Sequence, residues 1–128
     1  ELAGQDIALG VEVARRLGEL DVGQAVVVQQ AHVLGVEAAE GTDALLRRCA
    51  ELRRDGPGGV LVKVKKPQQE RRADLPTIGP ETVRGAAAAG LRGIAVETGH
   101  TLVADRRRTI EAADAAGLFI VGVAAIPG

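Results

Sequence analysis

The residues best suited to chemistry lie in one charged stretch, residues 63–82, which reads KVKKPQQERRADLPTIGPET. Lysine and arginine neutralise phosphate oxygens, and arginine can hold two of them at once. The carboxylates of Glu70 and Asp74 are hard oxygen ligands of the kind that magnesium takes, and one of them could instead position a water molecule. Backbone amides at the start of the helix that begins near Gly79 could also hold a phosphate. The candidate phosphate and substrate ligands in this stretch are Lys63, Lys66, Arg71, Arg72, Thr77 and Gly79.

A second group of polar residues lies in residues 36–48, VEAAEGTDALLRR, at a predicted change from strand to helix. Thr42 is a candidate substrate ligand there, and Asp43 is a candidate metal ligand. Both residues also have a purely structural interpretation, because threonine is a common helix N-cap and aspartate is favoured in a first helical turn. The charged stretch likewise has one, as a solvated loop whose charges pair with each other.

Apolar periodicity and turn residues predict an alternation of strands and helices around these two groups. Short aliphatic runs without alternation are typical of strands buried on both faces. The β and α alternation predicts a three-layer-like α/β domain, with a central, mostly parallel sheet flanked by helices. Predicted helices cover residues 6–20, 42–54, 80–89 and 105–117, and predicted strands cover residues 25–30, 33–38, 60–64, 94–97 and 118–123. Ligands of such sheets bind beyond the carboxyl ends of the strands, so we expect the two polar groups to converge on one cleft.

The composition fits one domain, residues 1–128, and excludes several classes of function. The chain has one Phe and no Trp, Tyr or Met, so its core must be aliphatic. The lack of aromatic side chains and the net charge of −1 give no sign of nucleic-acid binding. Cys49 has no partner for an internal disulfide and fits a cytoplasmic location. The longest apolar run, residues 117–127, is shorter than the roughly 20 residues of a membrane span. The basic run at residues 106–108 is typical of a solvated helix face, although contact with anionic lipid headgroups is also open.

Several strings resemble the LpxI-type UDP-2,3-diacylglucosamine pyrophosphatases. They are AVVVQQ, VEAAEGTDALLRR, VLVKVKKPQQERRADLPTIGPETV, GIAVETGHTLVADR and GLFIVGV, and together they cover essentially the whole chain. The combination of EGTD with DLPTIGP is the most specific part. The resemblance implies a hydrolase that uses water to cleave the pyrophosphate of UDP-2,3-diacylglucosamine. The products would be UMP and 2,3-diacylglucosamine 1-phosphate (lipid X), in lipid A biosynthesis.

The resemblance also implies residue roles and partners. The aspartate of DLP, Asp74, would be catalytic, and Mg²⁺ or another divalent cation would be the cofactor, with Asp74, Asp43 and Glu70 as its candidate ligands. Glu70 stands where the family commonly has Asp. The chain would be the C-terminal catalytic domain of a two-domain enzyme that holds its lipid ligand between the domains, so its own N-terminal domain would be a partner. A homodimer and a peripheral contact with the inner membrane are also compatible. The alternative is a non-catalytic module that binds phosphate or a nucleotide sugar through its basic residues and helix amides alone.

Overall fold

The computed structural model describes residues 2–65, 77–99 and 101–124. Within them the chain forms four helices and seven strands in alternating order. The helices are α1 (Leu2–Glu19), α2 (Thr42–Ala50), α3 (Pro80–Ala88) and α4 (Arg106–Ala116). The strands are β1 (Ala25–Gln29), β2 (His32–Val36), β3 (Val60–Lys63), β4 (Thr77–Ile78), β5 (Gly93–Glu97), β6 (Leu102–Val103) and β7 (Phe119–Val123).

Five strands form the central sheet in the order β2-β1-β3-β5-β7. Strands β3, β5 and β7 pair in parallel, whereas β1 is antiparallel to both β2 and β3. Four of the five strands therefore run in one direction, and the predicted mostly parallel α/β sheet is confirmed. The short strands β4 and β6 pair in parallel with each other. They were not predicted, because two residues are too few to show a period.

Helices cover both faces of the sheet, which gives the predicted three layers. Helix α1 packs against β1 and β3 on one face, while α2, α3 and α4 lie on the other. Successive strand residues supply the two cores in turn: Val26 and Val62 face α1, and Val27 and Leu61 face the other helices. The aliphatic strands lack a polar face because both of their faces are buried.

Three helices begin at the same edge of the sheet. Helix α2 follows the carboxyl end of β2, α3 follows β3 through β4, and α4 follows β5 through β6. At the opposite edge, the turn between β1 and β2 places Gln30 and Ala31 in the left-handed region, at φ 53 and 63. The buried Asp6 carboxylate of α1 accepts hydrogen bonds from both of their amides, at 3.1 and 2.8 Å.

Two helices differ from their predicted bounds by four residues, one at its start and one at its end. Helix α1 begins at Leu2 rather than at residue 6. Helix α2 ends at Ala50 rather than at residue 54, because the buried Gln29 amide bonds to the backbone of Arg54 and Pro57 and holds that segment out of the helix. Gln29 therefore fixes a loop at the edge away from the helix starts. No helix in the described ranges is long and apolar enough to cross a membrane.

Candidate functional site

A cleft of about 470 Å³ opens at the carboxyl edge of the sheet, between the first turns of α2 and α3. Residues from both polar groups of the sequence line it. Those predicted as ligands are Thr42, Asp43, Lys63, Thr77 and Gly79. The cleft brings together positions up to 37 residues apart in the chain. The predicted convergence of Glu70 and Asp74 with the turn at residues 40–43 lies outside the described residues and stays a prediction.

Lys63 is the cation that the described residues contribute to this cleft. It is the last residue of β3, and the alternation along the strand directs it to the same side as Leu61, toward α2 and α3. The residue is only 6% exposed, and its Nζ donates one hydrogen bond, of 2.9 Å, to the Thr77 carbonyl. Burial lowers the pKa of Lys63, and the charges of Glu37 and Asp43 act in the opposite direction. Its two other N–H groups have no partner among the described residues.

The N-terminus of α2 is not capped as predicted. The N-cap residue is Gly41, at φ 89, and no side chain caps the helix. The prediction of Thr42 as the N-cap is wrong, because its hydroxyl donates instead to Glu37 Oε2 at 3.2 Å. The first-turn amides of α2 therefore lie uncapped at the cleft, at the end of the helix that attracts anions.

Helix α3 begins on the other side of the cleft. Pro80 occupies its first turn, as predicted, and the Gly79 amide donates to Thr82 Oγ1 at 3.1 Å. Glycine suits position 79 because a Cβ atom there would lie 3.3 Å from the Cβ of Ala104. The chain passes closely between α3 and the start of α4 at this point.

Glu37 lies beside the cleft, bonded to Thr42, which lines it, and it was not among the predicted ligands. It follows β2 directly and is only 9% exposed. Its Oε1 accepts a hydrogen bond of 3.0 Å from the Gln24 amide. A side chain at position 23 would collide with it, since a Cβ built on Gly23 lies 2.0 Å from the Glu37 carbonyl oxygen. A charged residue directly after a predicted strand was the available signal, but the sequence alone does not show that the residue is buried.

The cleft also carries acidic side chains. Glu40 pairs with Arg48 at 2.8 Å, and hydrogen bonds from backbone amides hold its pKa below the usual value. Glu81 pairs with Arg84. Asp43 forms no ion pair with the described residues. In residues 2–65, 77–99 and 101–124, no three His, Cys, Asp or Glu side chains are grouped closely enough to hold a metal ion.

The remaining predicted site residues lie outside the described residues. They are Lys66, Glu70, Arg71, Arg72 and Asp74. The described chain ends at Lys65, two positions after Lys63, and resumes at Thr77. Both Lys63 and Thr77 line the cleft, so the segment that carries these residues is joined to it at either end.

A second cleft of about 360 Å³, lined by more aliphatic residues, adjoins the first. It lies between the ends of β5 and β7 and the start of α4, and Ile78 lines both clefts. Ile110 and Val121, two exposed large apolar side chains, also line it. On the nearby basic run, Arg107 and Arg108 pair with Glu111 and Asp105, which agrees with a solvated helix face.

The fold and the cleft define an α/β domain with a cationic, amide-lined site at the carboxyl edge of its sheet. Residues 1–121 match the LpxI C-terminal domain family, and the chain belongs to that family. It is 53% identical, over 124 residues, to the UDP-2,3-diacylglucosamine pyrophosphatase LpxI of Caulobacter vibrioides. That match covers 92% of this chain and 44% of the relative, so the chain spans less than half of the relative's length.

Two solved structures share the fold at low sequence identity. The dCMP deaminase of cyanophage S-TIM5 is 14% identical, with a TM-score of 0.53 over 91% of this chain and 95% of that one. RibD of Acinetobacter baumannii is 15% identical, with a TM-score of 0.55 over 96% of this chain and 36% of that one. Zinc deaminases bind their metal through H-x-E and P-C-x-x-C motifs. This sequence contains neither motif, and its one cysteine, Cys49, lies in α2.

Proposed function

We propose that this domain hydrolyses the pyrophosphate of UDP-2,3-diacylglucosamine, as the C-terminal catalytic domain of a two-domain enzyme of lipid A biosynthesis. The products would be UMP and 2,3-diacylglucosamine 1-phosphate, and the reaction would take place in the cytoplasm. Membership of the LpxI C-terminal domain family and the name of the Caulobacter relative support the reaction. The structural observation that carries the proposal is the buried Lys63 ammonium between the first turns of α2 and α3.

This arrangement suits a pyrophosphate. Its oxygens carry several negative charges, and Lys63 together with the uncapped amides of α2 offers donors to them without rearrangement. Catalysis of phosphoryl transfer comes mostly from positioning and from charge stabilisation. A donor that the fold already holds in place contributes to both.

We assign the catalytic role to Asp74, as the family resemblance implies. Three residues of chain span at most about 11 Å, so a carboxylate three positions before Thr77 is within reach of the cleft that Thr77 lines. Lys66, Arg71 and Arg72, in the same segment, would add cations to the phosphate site.

We also propose that activity depends on Mg²⁺ or a similar divalent cation, with Asp43, Glu70 and Asp74 as ligands. The described residues supply Asp43 at the cleft but no complete set of ligands. When bound, the cation would neutralise charge on the pyrophosphate. Chelation with EDTA should abolish hydrolysis, and added Mg²⁺ should restore it. Full turnover in EDTA would rule out the dependence.

The aliphatic side chains of the adjoining cleft support a lipid-linked substrate. Because Ile78 lines both clefts, a ligand with its phosphates at Lys63 could extend an acyl chain toward Ile110 and Val121. Burial of apolar surface would then add to the affinity, by about 25 cal/mol for each Å² removed from water.

The decisive experiment compares full-length wild-type protein with Asp74→Asn, which keeps the shape of the side chain and removes its charge. Hydrolysis of UDP-2,3-diacylglucosamine under saturating Mg²⁺ should fall by a factor of about 100 to 10,000, with substrate binding and melting temperature retained. Asp114→Asn, the same change on the exposed face of α4, is the control and should behave as wild type. Near wild-type hydrolysis by Asp74→Asn would refute the catalytic role. Binding without turnover by wild-type protein would instead favour the non-catalytic module.

A further inference from the structure

Glu37 is a buried carboxylate beside the cleft that none of the roles above uses. Each of its oxygens accepts one hydrogen bond, Oε1 from the Gln24 amide at 3.0 Å and Oε2 from the Thr42 hydroxyl at 3.2 Å. Its own amide donates to the Ala25 carbonyl at 2.9 Å. The side chain is therefore fixed between the start of β1, the end of β2 and the start of α2.

The bond between Glu37 and Thr42 determines what Thr42 can offer a ligand. An ionised carboxylate only accepts hydrogen bonds, so the hydroxyl hydrogen of Thr42 is directed to Glu37. The lone pairs of Thr42 Oγ1 remain available at the cleft, which suits a cation or a ligand O–H group. A phosphate in the cleft would therefore meet the backbone amide of Thr42 as a donor rather than its hydroxyl.

Glu37 also acts on Lys63 without contacting it. No carboxylate of the described residues forms an ion pair with Lys63 Nζ, whose one hydrogen bond goes to a carbonyl. Glu37 and Lys63 lie on either side of Ala25 in the sheet, since the Glu37 amide bonds to the Ala25 carbonyl and Ala25 pairs with Lys63 in the register of β1 and β3. Asp43, in the first turn of α2, lines the same cleft as Lys63. The charges of both carboxylates favour the ammonium form of Lys63. Glu40 and Glu81 also line the cleft but pair with arginines.

A lysine in a direct salt bridge has donors committed to its partner, whereas a charge at a distance leaves them free. Because burial disfavours the ammonium form, a nearby negative charge is needed to offset that cost. Glu37 meets this need from a fixed position, while the hydrogen bonds of its own oxygens are satisfied elsewhere.

We infer that Glu37 is a positioning residue of the phosphate cleft: its enclosed carboxylate favours the charged form of Lys63 without taking any of its N–H donors, and it orients the Thr42 hydroxyl as an acceptor. The inference rests on the proposed function in taking a pyrophosphate as the ligand. It adds a residue whose effect on binding depends on pH.

The test uses the full-length protein and Glu37→Gln, which keeps the size of the side chain and removes its charge. Binding of inorganic pyrophosphate is measured calorimetrically in EDTA, from about pH 6 to about pH 9.5. The ratio of the variant Kd to the wild-type Kd cancels the ionisation of pyrophosphate itself. Glu40→Gln, which neutralises a cleft carboxylate paired with Arg48, is the matched control.

At low pH the ratio should be about 1 or below, because Lys63 is charged in both proteins and the variant has lost a negative charge near the anion. As the pH rises, Lys63 should lose its proton at a lower pH in Glu37→Gln than in wild type. The ratio should therefore increase, by about tenfold for each pH unit by which the substitution lowers the pKa of Lys63. Lys63→Arg in the Glu37→Gln background should remove this rise, because a guanidinium does not titrate in this range. The ratio for Glu40→Gln should stay flat.

A ratio for Glu37→Gln that is the same at every pH would show a structural role only and would overturn the inference. If that variant does not fold, Glu37→Asp replaces it. The shorter side chain keeps the charge but moves the carboxylate by one methylene out of its fitted position, so we expect a smaller rise of the same sign; a profile identical to wild type would overturn the inference as well. The binding measurement does not require turnover. It therefore tests the role of Glu37 even if the protein does not hydrolyse UDP-2,3-diacylglucosamine. Wild-type protein that binds no pyrophosphate at any pH would overturn the phosphate assignment together with this role.

Discussion

Replacing Lys63 with methionine removes an ammonium group while keeping an unbranched side chain of similar length. In the wild-type protein this group is enclosed, and burial lowers its pKa. Holding a charge there costs stability, which is typical of a residue retained for binding rather than for folding. The substitution should therefore separate ligand affinity from stability.

The two effects differ in size. On folding, Lys63→Met loses one hydrogen bond to the Thr77 carbonyl, about 1 kcal/mol, and gains by no longer burying a charge. The free energy of unfolding should thus stay within about 1 kcal/mol of wild type. Ligand binding loses a hydrogen bond from a charged donor, about 1.5–3 kcal/mol, which corresponds to an affinity about 10-fold to 150-fold weaker.

The assay pairs pyrophosphate calorimetry at neutral pH with urea unfolding of the same full-length variant. Arg108→Met, on the exposed face of α4, removes one positive charge that is not part of the cleft lining and should change neither quantity. Pyrophosphate affinity of Lys63→Met within about threefold of wild type would refute the role of Lys63, since about 1.5 kcal/mol predicts at least a tenfold loss.

The pH dependence of stability gives an independent check on Lys63. Its folded pKa lies below the unfolded value of 10.5, so between the two the unfolded state binds more protons. The contribution of Lys63 to stability therefore rises with pH through this window and is lost as the pH falls through the folded pKa. Any stability advantage of Lys63→Met should be largest at neutral pH and shrink toward pH 10.5. An advantage that grows with pH would contradict the assignment.

Three further predictions concern other parts of the domain. Asp6→Ala should lower the free energy of unfolding by about 2 kcal/mol, because two amides of the β1–β2 turn lose their acceptor; urea unfolding should show this loss, while pyrophosphate affinity should not change. Cys49 should resist iodoacetamide in the native protein and react only in denaturant, since it is 1% exposed and burial raises its pKa; rapid native labelling detected by mass spectrometry would contradict this. The 128-residue chain alone should show a cooperative melting transition but hydrolyse substrate far more slowly than the full-length protein; equal rates would contradict the need for a second domain.

The class of fold and part of the cleft could be predicted from two simple rules. One is the alternation of side chains along a strand, and the other is the position of ligands at the carboxyl ends of strands. Alternation along β3 places Lys63 on the side of α2 and α3, and the carboxyl-edge rule brings Thr42, Asp43 and Gly79 to it. The burial of Glu37 could not be predicted, because it depends on β1 and Gly23 packing against the end of β2.

Local helix signals failed where tertiary contacts compete with them. Thr42 has the residue type of an N-cap, but a carboxylate five positions earlier takes its hydroxyl. The end of α2 is set by Gln29, which lies 25 residues before the backbone of Arg54 that it binds. Neither contact has a signature in the local sequence. The roles of Glu70 and Asp74 stay predictions, since both lie outside the described residues.

The direction of α1 has a practical consequence for attaching anything to this domain. The helix begins near the β1–β2 turn, where Asp6 binds, and its 18 residues carry the chain about 27 Å toward the edge where the cleft lies. A dye, surface tether or fusion partner joined ahead of Leu2 therefore leaves the cleft mouth open. From that point the cleft lies about eight extended residues away, a distance that the body of an attached module or its connector has to span to reach over it.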